Sequence, residues 1–249
     1  RRAVITVNYK ESGLTDDEMI SFSSNARLAN SKVDTLTVEE VLYAGENLLN
    51  DINSRIDLYS AVASTLNDSR VYNNLGALLY LQNNLVGAKA NLESSAELSE
   101  SGEVMNNLAA LAILDGDRSK SSTLLSSAKG MSEDKMNVVN TNSAVLSILD
   151  GNYSKAEGDI TGNTFNKVLA QVLQGNLTDA EATLASSGDD EGDAIYLSAI
   201  MATRAGSGVT DVVAKLNTAF EADNSLKAKA AKDREFVNFF NEEVFTNAV

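Results

Sequence analysis

The densest run of potentially reactive side chains is Asp189-Asp190-Glu191-Gly192-Asp193, five residues that could be read as a calcium loop. Counting from Asp189, an EF-hand register puts Ala194 at the glycine position and Ile200 at the bidentate glutamate position, so that geometry fails. The run reads instead as a solvated loop in which Asp193 caps the next helix. Other carboxylate pairs carry no catalytic weight without a pocket, because the chain holds 35 Asp and Glu residues in all. His and Cys are both absent, which removes the imidazole base, the thiolate nucleophile, the disulfide and the ordinary transition-metal site. No phosphate-cradling glycine loop, nucleophile elbow or zincin motif occurs. The expectation is a protein that is not an enzyme and needs neither cofactor nor metal. Lys227, Lys229, Lys232 and Arg234 form a basic run too short for a nucleic-acid site and read as one solvated helical face. Asn67-Asp68-Ser69, Asn152-Tyr153-Ser154 and Asn176-Leu177-Thr178 match the glycosylation sequon, but their places at turns and helix caps explain them without modification.

Bulk composition narrows the classes further. The 43% apolar content is that of a folded chain, and the net charge of −15 disfavours nucleic acid and anionic membrane surfaces as partners. No apolar run reaches the roughly 18 residues of a membrane span. Pro is missing from all 249 residues, where average usage of about 5% would give on the order of a dozen. Helix interiors exclude proline, which accounts for part of this; the rest has no physical explanation. The chain opens at Arg1-Arg2 without an initiator Met or a signal peptide, as expected of a mature or excised fragment.

The elements that must carry any site are helical. Turns recur at Asn83-Asn84-Leu85, Asp115-Gly116-Asp117, Asp150-Gly151-Asn152 and Gln174-Gly175-Asn176, spaced 33, 35 and 24 residues apart when counted from Asn83 through Gly116, Gly151 and Gly175. Each is followed by a small residue (Ala88, Ser121, Ala156, Ala180) and then an apolar one (Leu92, Leu125, Ile160, Leu184). One helical hairpin of this size cannot bury its own apolar face, so the repetition predicts a stacked array. Helical pairs are expected over Thr37 to Leu66, Arg70 to Leu98, Glu103 to Ala128, Lys135 to Ile160, Phe165 to Ala185 and Asp193 to Ala222. Capping boxes are expected at Thr15–Glu18, Thr37–Glu40, Ser154–Glu157 and Thr178–Glu181. Ala3 to Tyr9 reads as a short strand, and Asn25 to Lys32 as a linker. Phe236, Phe239, Phe240 and Phe245 predict a C-terminal helix that seals the end of the array.

At Tyr72-Asn73-Asn74-Leu75-Gly76 the chain resembles the tetratricopeptide repeat (TPR) family, whose unit is about 34 residues. Tyr72, Leu75-Gly76, Leu79-Tyr80, Ala88 and Leu92 take the family's places in one unit. Met105, Leu108-Ala109, Gly116, Leu125 and Ala128 follow in the next, then Ala144, Gly151, Ala156 and Ile160. Ser95 and Ser121 stand where Ala is usual, and Glu100 where Pro is usual. The resemblance implies an all-α, right-handed solenoid of five to six antiparallel helix pairs, here with a short N-terminal strand. Residues 1–36 would be a leading segment and 37–249 the repeat domain with its capping helix. The Arg1-Arg2-Ala3-Val4 strand is similar to the end of OmpA-like peptidoglycan-binding domains, which implies such a domain upstream and a bacterial cell-envelope setting, periplasmic or at the outer membrane.

In TPR arrays the first helices line a groove that takes a peptide. Alignment to the family then implies Asn73, Ala77, Tyr80 and Leu81, next Asn106, Ala110 and Ile113, and last Thr141, Val145 and Ile148. The asparagines would bridge peptide amides, and Tyr80 and Ile113 would supply apolar contacts; the alternative is that all ten pack on neighbouring helices. The lysines of carboxylate-clamp TPRs are missing. The expectation is a scaffold for another protein or peptide, linked to peptidoglycan only through an upstream domain. The alternative, a carbohydrate-capture protein on TPR helices, is weakened by the absence of Trp and the 6% aromatic content.

Overall fold

The computed structural model describes residues 13–26, 32–131 and 136–249, and all regular structure among them is helical. The expected strand over Ala3 to Tyr9 lies outside the described residues, as does most of the expected linker. The chain divides into two compact units, 1–134 and 135–249. No helix among the described residues is long and apolar enough to cross a membrane.

In the first unit, α1 (Asp16–Ser24) leads into three hairpins. The first joins α2 (Val38–Tyr43) and a π-helical turn, Ala44–Leu48, to α3 (Ile52–Leu66); the second is α4 (Ser69–Leu81) with α5 (Leu85–Leu98); the third is α6 (Gly102–Leu114) with α7 (Arg118–Met131). Side chains satisfy the orphan donors at most of these starts. The Thr15–Glu18 and Thr37–Glu40 capping boxes form as expected, while Asp51, Asp68 and Ser101 accept from the first-turn amides of α3, α4 and α6. Met19, Val33 and Leu36 join Val41, Leu58, Val62, Val71 and Leu75 in one core. The expected continuous helix to Leu48 is instead broken into α2 and the π turn. Gly45 lies in that turn against the Tyr59 ring, and a Cβ there would sit 2.2 Å from the Tyr59 hydroxyl.

Between α4 and α5 the close approach falls at Gly76, whose Cβ would stand 2.7 Å from Leu92 Cγ and 3.1 Å from the Ala88 carbonyl. The resemblance put its Leu-Gly, Ala and apolar places on these residues, and Ala88 and Leu92 are fully buried.

The second unit pairs α8 (Met136–Leu149) with α9 (Tyr153–Asp159), α10 (Phe165–Gln174) with α11 (Leu177–Ser187), and α12 (Gly192–Arg204) with α13 (Val209–Ala222). The same turn closes first helices in both units. Asn83, Gly116, Gly151, Gly175 and Gly206 have φ of 59°, 76°, 78°, 84° and 83°. In each, the following amide reaches back five residues, from Asn84 to Leu79 O, Asp117 to Ala112 O, Asn152 to Ser147 O, Asn176 to Gln171 O and Ser207 to Ala202 O, at 2.8–2.9 Å. This left-handed stop satisfies the last carbonyls of the first helix, and in all but the Gly206 turn the residue after it directly precedes the second helix. For that reason Ser154 and Thr178 do not cap. Asn152 and Asn176 precede α9 and α11, so both hydroxyl residues lie inside the helices. Glu157 is drawn away instead, accepting from Gln171 Nε2 at 2.9 Å and Gln174 Nε2 at 2.7 Å. Asp193 likewise is not a cap; α12 starts at Gly192, and Asp193 accepts from Lys229 Nζ at 2.9 Å.

The expected capping helix is three short pieces: α14 (Leu226–Ala230), a 3₁₀ turn over Arg234–Phe239, and α15 (Glu243–Thr246). Breaking the helix lets three rings converge on Phe245, with Phe236 and Phe240 at 5.8 Å and Phe239 at 6.4 Å. Tyr196 of α12 meets Phe236 edge-on and donates to Asp233 Oδ2 at 2.8 Å. Arg204 grips Glu235 through Nε and Nη2 at 2.9 and 2.6 Å. Aromatic burial and a paired fork thus seal α12 and α13.

Candidate functional site

Between Val71 and Leu81 of α4, and again between Val104 and Leu114 of α6, there is no charged residue, although 22% of the chain is charged. What these stretches offer is amide groups. Asn107 Nδ2 donates to Asn73 Oδ1 at 2.9 Å, Asn73 Nδ2 to Asn74 Oδ1 at 3.4 Å, and Asn74 Nδ2 to the Tyr59 hydroxyl at 3.3 Å. The line therefore runs from α6 through α4 to α3, every donor pointing the same way. Asn107, Asn74 and Tyr59 were not foreseen. Alignment paired Asn73 with Asn106, 33 residues on, whereas the hydrogen bond goes to Asn107, 34 residues on.

Of the expected groove residues in the first unit, Asn73, Ala77, Ala110 and Ile113 are half-buried, and Leu81 is 71% exposed at the end of α4. Two lie inward instead. Tyr80 packs on the Ala88, Leu92 and Leu111 core between α4, α5 and α6, and Asn106 is buried at 4% exposure. In the second unit Thr141 is exposed and donates its hydroxyl to Asn137 O at 2.9 Å. Val145 is half-buried, and Ile148 packs on Ala144, Ala156, Ile160 and Ala170. One residue is a rotation of about 100° round the helix, enough to turn Asn106 inward while its neighbour Asn107 reaches Asn73.

At the α3 end of the asparagine line lies a cavity of about 190 Å³. Gly45 and Glu46 of the π turn, Arg55 and Tyr59 of α3, and Asn74, Ala77 and Leu78 of α4 surround it. Arg55 Nε donates to Leu49 O at 2.6 Å and Nη2 to Glu46 O at 3.5 Å, which fixes the guanidinium against the carbonyl end of the π turn. Burial pushes the Tyr59 hydroxyl above its ordinary pKa, so it stays protonated and remains a donor. A shallower hollow in the second unit, bounded by Gly151, Tyr153, Lys155 and Gln174, has Lys155 paired with Asp159.

This arrangement suits recognition of neutral polar groups: side-chain amides carry a donor and an acceptor apiece, and Ala77 and Leu78 add apolar surface beside them. No protein-family model and no curated protein matches the chain. Among solved structures it is similar to PilW, described as a widely conserved type IV pilus biogenesis factor. The identity is 14% and the TM-score 0.58, over 83% of this chain and 98% of that one. At that identity the likeness concerns the fold, and together with the hairpins and their recurrent turns it supports a TPR-like array of α-helical pairs.

Proposed function

We propose that this chain is a non-catalytic scaffold that holds a protein or peptide along the faces of α4 and α6, and that it works in the bacterial cell envelope. The observation that carries the reading is the charge-free asparagine line from Asn107 to Tyr59. An extended peptide presents alternating N–H and C=O groups, and a row of amide side chains matches both without selecting for charge. Asn73, Ala77, Leu81, Ala110 and Ile113 form the contact surface in this reading, and Thr141 and Val145 on α8 of the second unit are a separate candidate surface. The fold likeness to a pilus biogenesis factor supports a non-enzymatic role and an envelope location. An OmpA-like domain upstream, and through it a peptidoglycan link, belong to the same proposal and are checked by reading the coding sequence that precedes Arg1.

The test is capture from a bacterial envelope extract by the wild-type chain and by Asn73→Ala/Asn107→Ala. The expected result is one defined protein partner, retained by the wild type and reduced at least tenfold by the double variant at an unchanged melting temperature. Equal capture by both would place the contact elsewhere.

A further inference from the structure

The cavity beside Tyr59 has a donor and acceptor pattern of its own. Because Asn74 Nδ2 donates to the Tyr59 oxygen, the hydroxyl proton is not directed at Asn74, and no acceptor takes it among the described residues. Tyr59 is only 2% exposed, so the water open to that proton is the water of the cavity it lines. Among the described residues Arg55 spends Nε and Nη2 on backbone carbonyls and leaves Nη1 uncommitted, while the exposed Glu46 also lines the cavity. Ala77 and Leu78 supply an apolar wall. The π turn and Gly45 admit this arrangement, since any Cβ at 45 would displace the hydroxyl. Insertions of this kind in helices are frequent at functional sites.

We propose that this cavity is an anchor for one amide-tipped side chain, glutamine or asparagine, of a bound peptide. The proposal rests on the scaffold reading above and adds the side-chain class that the array selects. A primary amide has a carbonyl for the Tyr59 and Arg55 donors and an NH₂ for Glu46. An aliphatic tip would strip water from the Tyr59 and Arg55 donors and give nothing back. An acidic tip would gain Arg55 but be repelled by Glu46, and a basic tip the reverse, whereas a neutral amide is repelled by neither. At roughly 30 Å³ per water the cavity holds about six, enough for a glutamine side chain.

The experiment is a methyl-NMR titration of the whole chain with blocked tripeptides, acetyl-Gly-Xaa-Gly-amide with Xaa as Gln, Glu or Leu, followed at Ala77 and Leu78. The Gln peptide should shift both methyls saturably in the millimolar range, with the Glu and Leu peptides at least tenfold weaker. Tyr59→Phe should weaken the Gln peptide about tenfold and leave the Leu peptide unchanged. Ala77→Phe, which fills the cavity from a half-buried position, should abolish the shift at Leu78. Equal affinity for the Leu and Gln peptides, or no saturable shift with the Gln peptide, overturns the anchor. The scaffold reading is read separately: capture that depends on Asn73 and Asn107 but is indifferent to Tyr59→Phe keeps the scaffold and sinks the anchor.

Discussion

Ser95 and Ser121 both replace the alanine usual at their places, and the fold treats them differently. Ser95 is fully buried and donates its hydroxyl to Ser69 O at 2.7 Å, tying α5 to the start of α4. Ser121 is equally buried, and its hydroxyl has no partner among the described residues. A buried hydroxyl left unpaired forfeits its hydration, so Ser121→Ala should stabilise the chain by about 1 kcal/mol, whereas Ser95→Ala should destabilise it by about as much. Urea unfolding of the two variants checks this; a loss of stability in Ser121→Ala would mean that its hydroxyl is satisfied after all. At this scale the packing residues were legible in the sequence. Ala88 and Leu92 were marked by repeat spacing and Gly76 by the TPR resemblance, and only a small residue fits at Gly76 and Ala88, where the two helices touch. The line from Asn107 to Tyr59 was not legible, because a one-residue difference in helical phase decides which of two adjacent asparagines meets Asn73.

Helix starts and stops were legible where one residue settles them and obscured where two signals compete. Thr37 and Glu40 form the expected box: the Thr37 amide and hydroxyl both donate to Glu40 Oε2, at 2.9 and 2.8 Å. The Thr37 amide, with its hydroxyl, holds the Glu40 carboxyl below the usual carboxylate range. Its contribution is therefore complete above the unfolded value of about 4.3 and is lost as pH falls from there through the lower folded value. Glu40→Gln should flatten the fall in melting temperature between pH 5 and pH 3 relative to wild type, and Thr37→Ala should cost about 1 kcal/mol at pH 7. Parallel pH profiles for wild type and Glu40→Gln would remove the cap from the account. Ser154–Glu157 and Thr178–Glu181 carried the same sequence signal, but the left-handed turns before them had already set the helix starts. In the C-terminal segment the phenylalanine spacing suggested one helix, and only the convergence on Phe245 shows why three short pieces bury the rings better.

For the whole chain, the array could be read because its period is written in the turns, whose left-handed residues Asn83, Gly116, Gly151 and Gly175 reproduce the spacing of the sequence motifs. The proposed binding surface was only partly readable. Periodicity marks residues that pack, and the surface proposed here is made of those left over, such as Leu81 and Ala77. The most direct measurement is site-specific photo-crosslinking in bacterial cells, with a photoreactive residue at Ala77 or Ala110 and controls at the exposed Lys89 and Thr123 of α5 and α7. The account predicts a single crosslinked partner from Ala77 and Ala110 and none from the controls. A partner trapped equally from Lys89 and Thr123, or only from them, would contradict it.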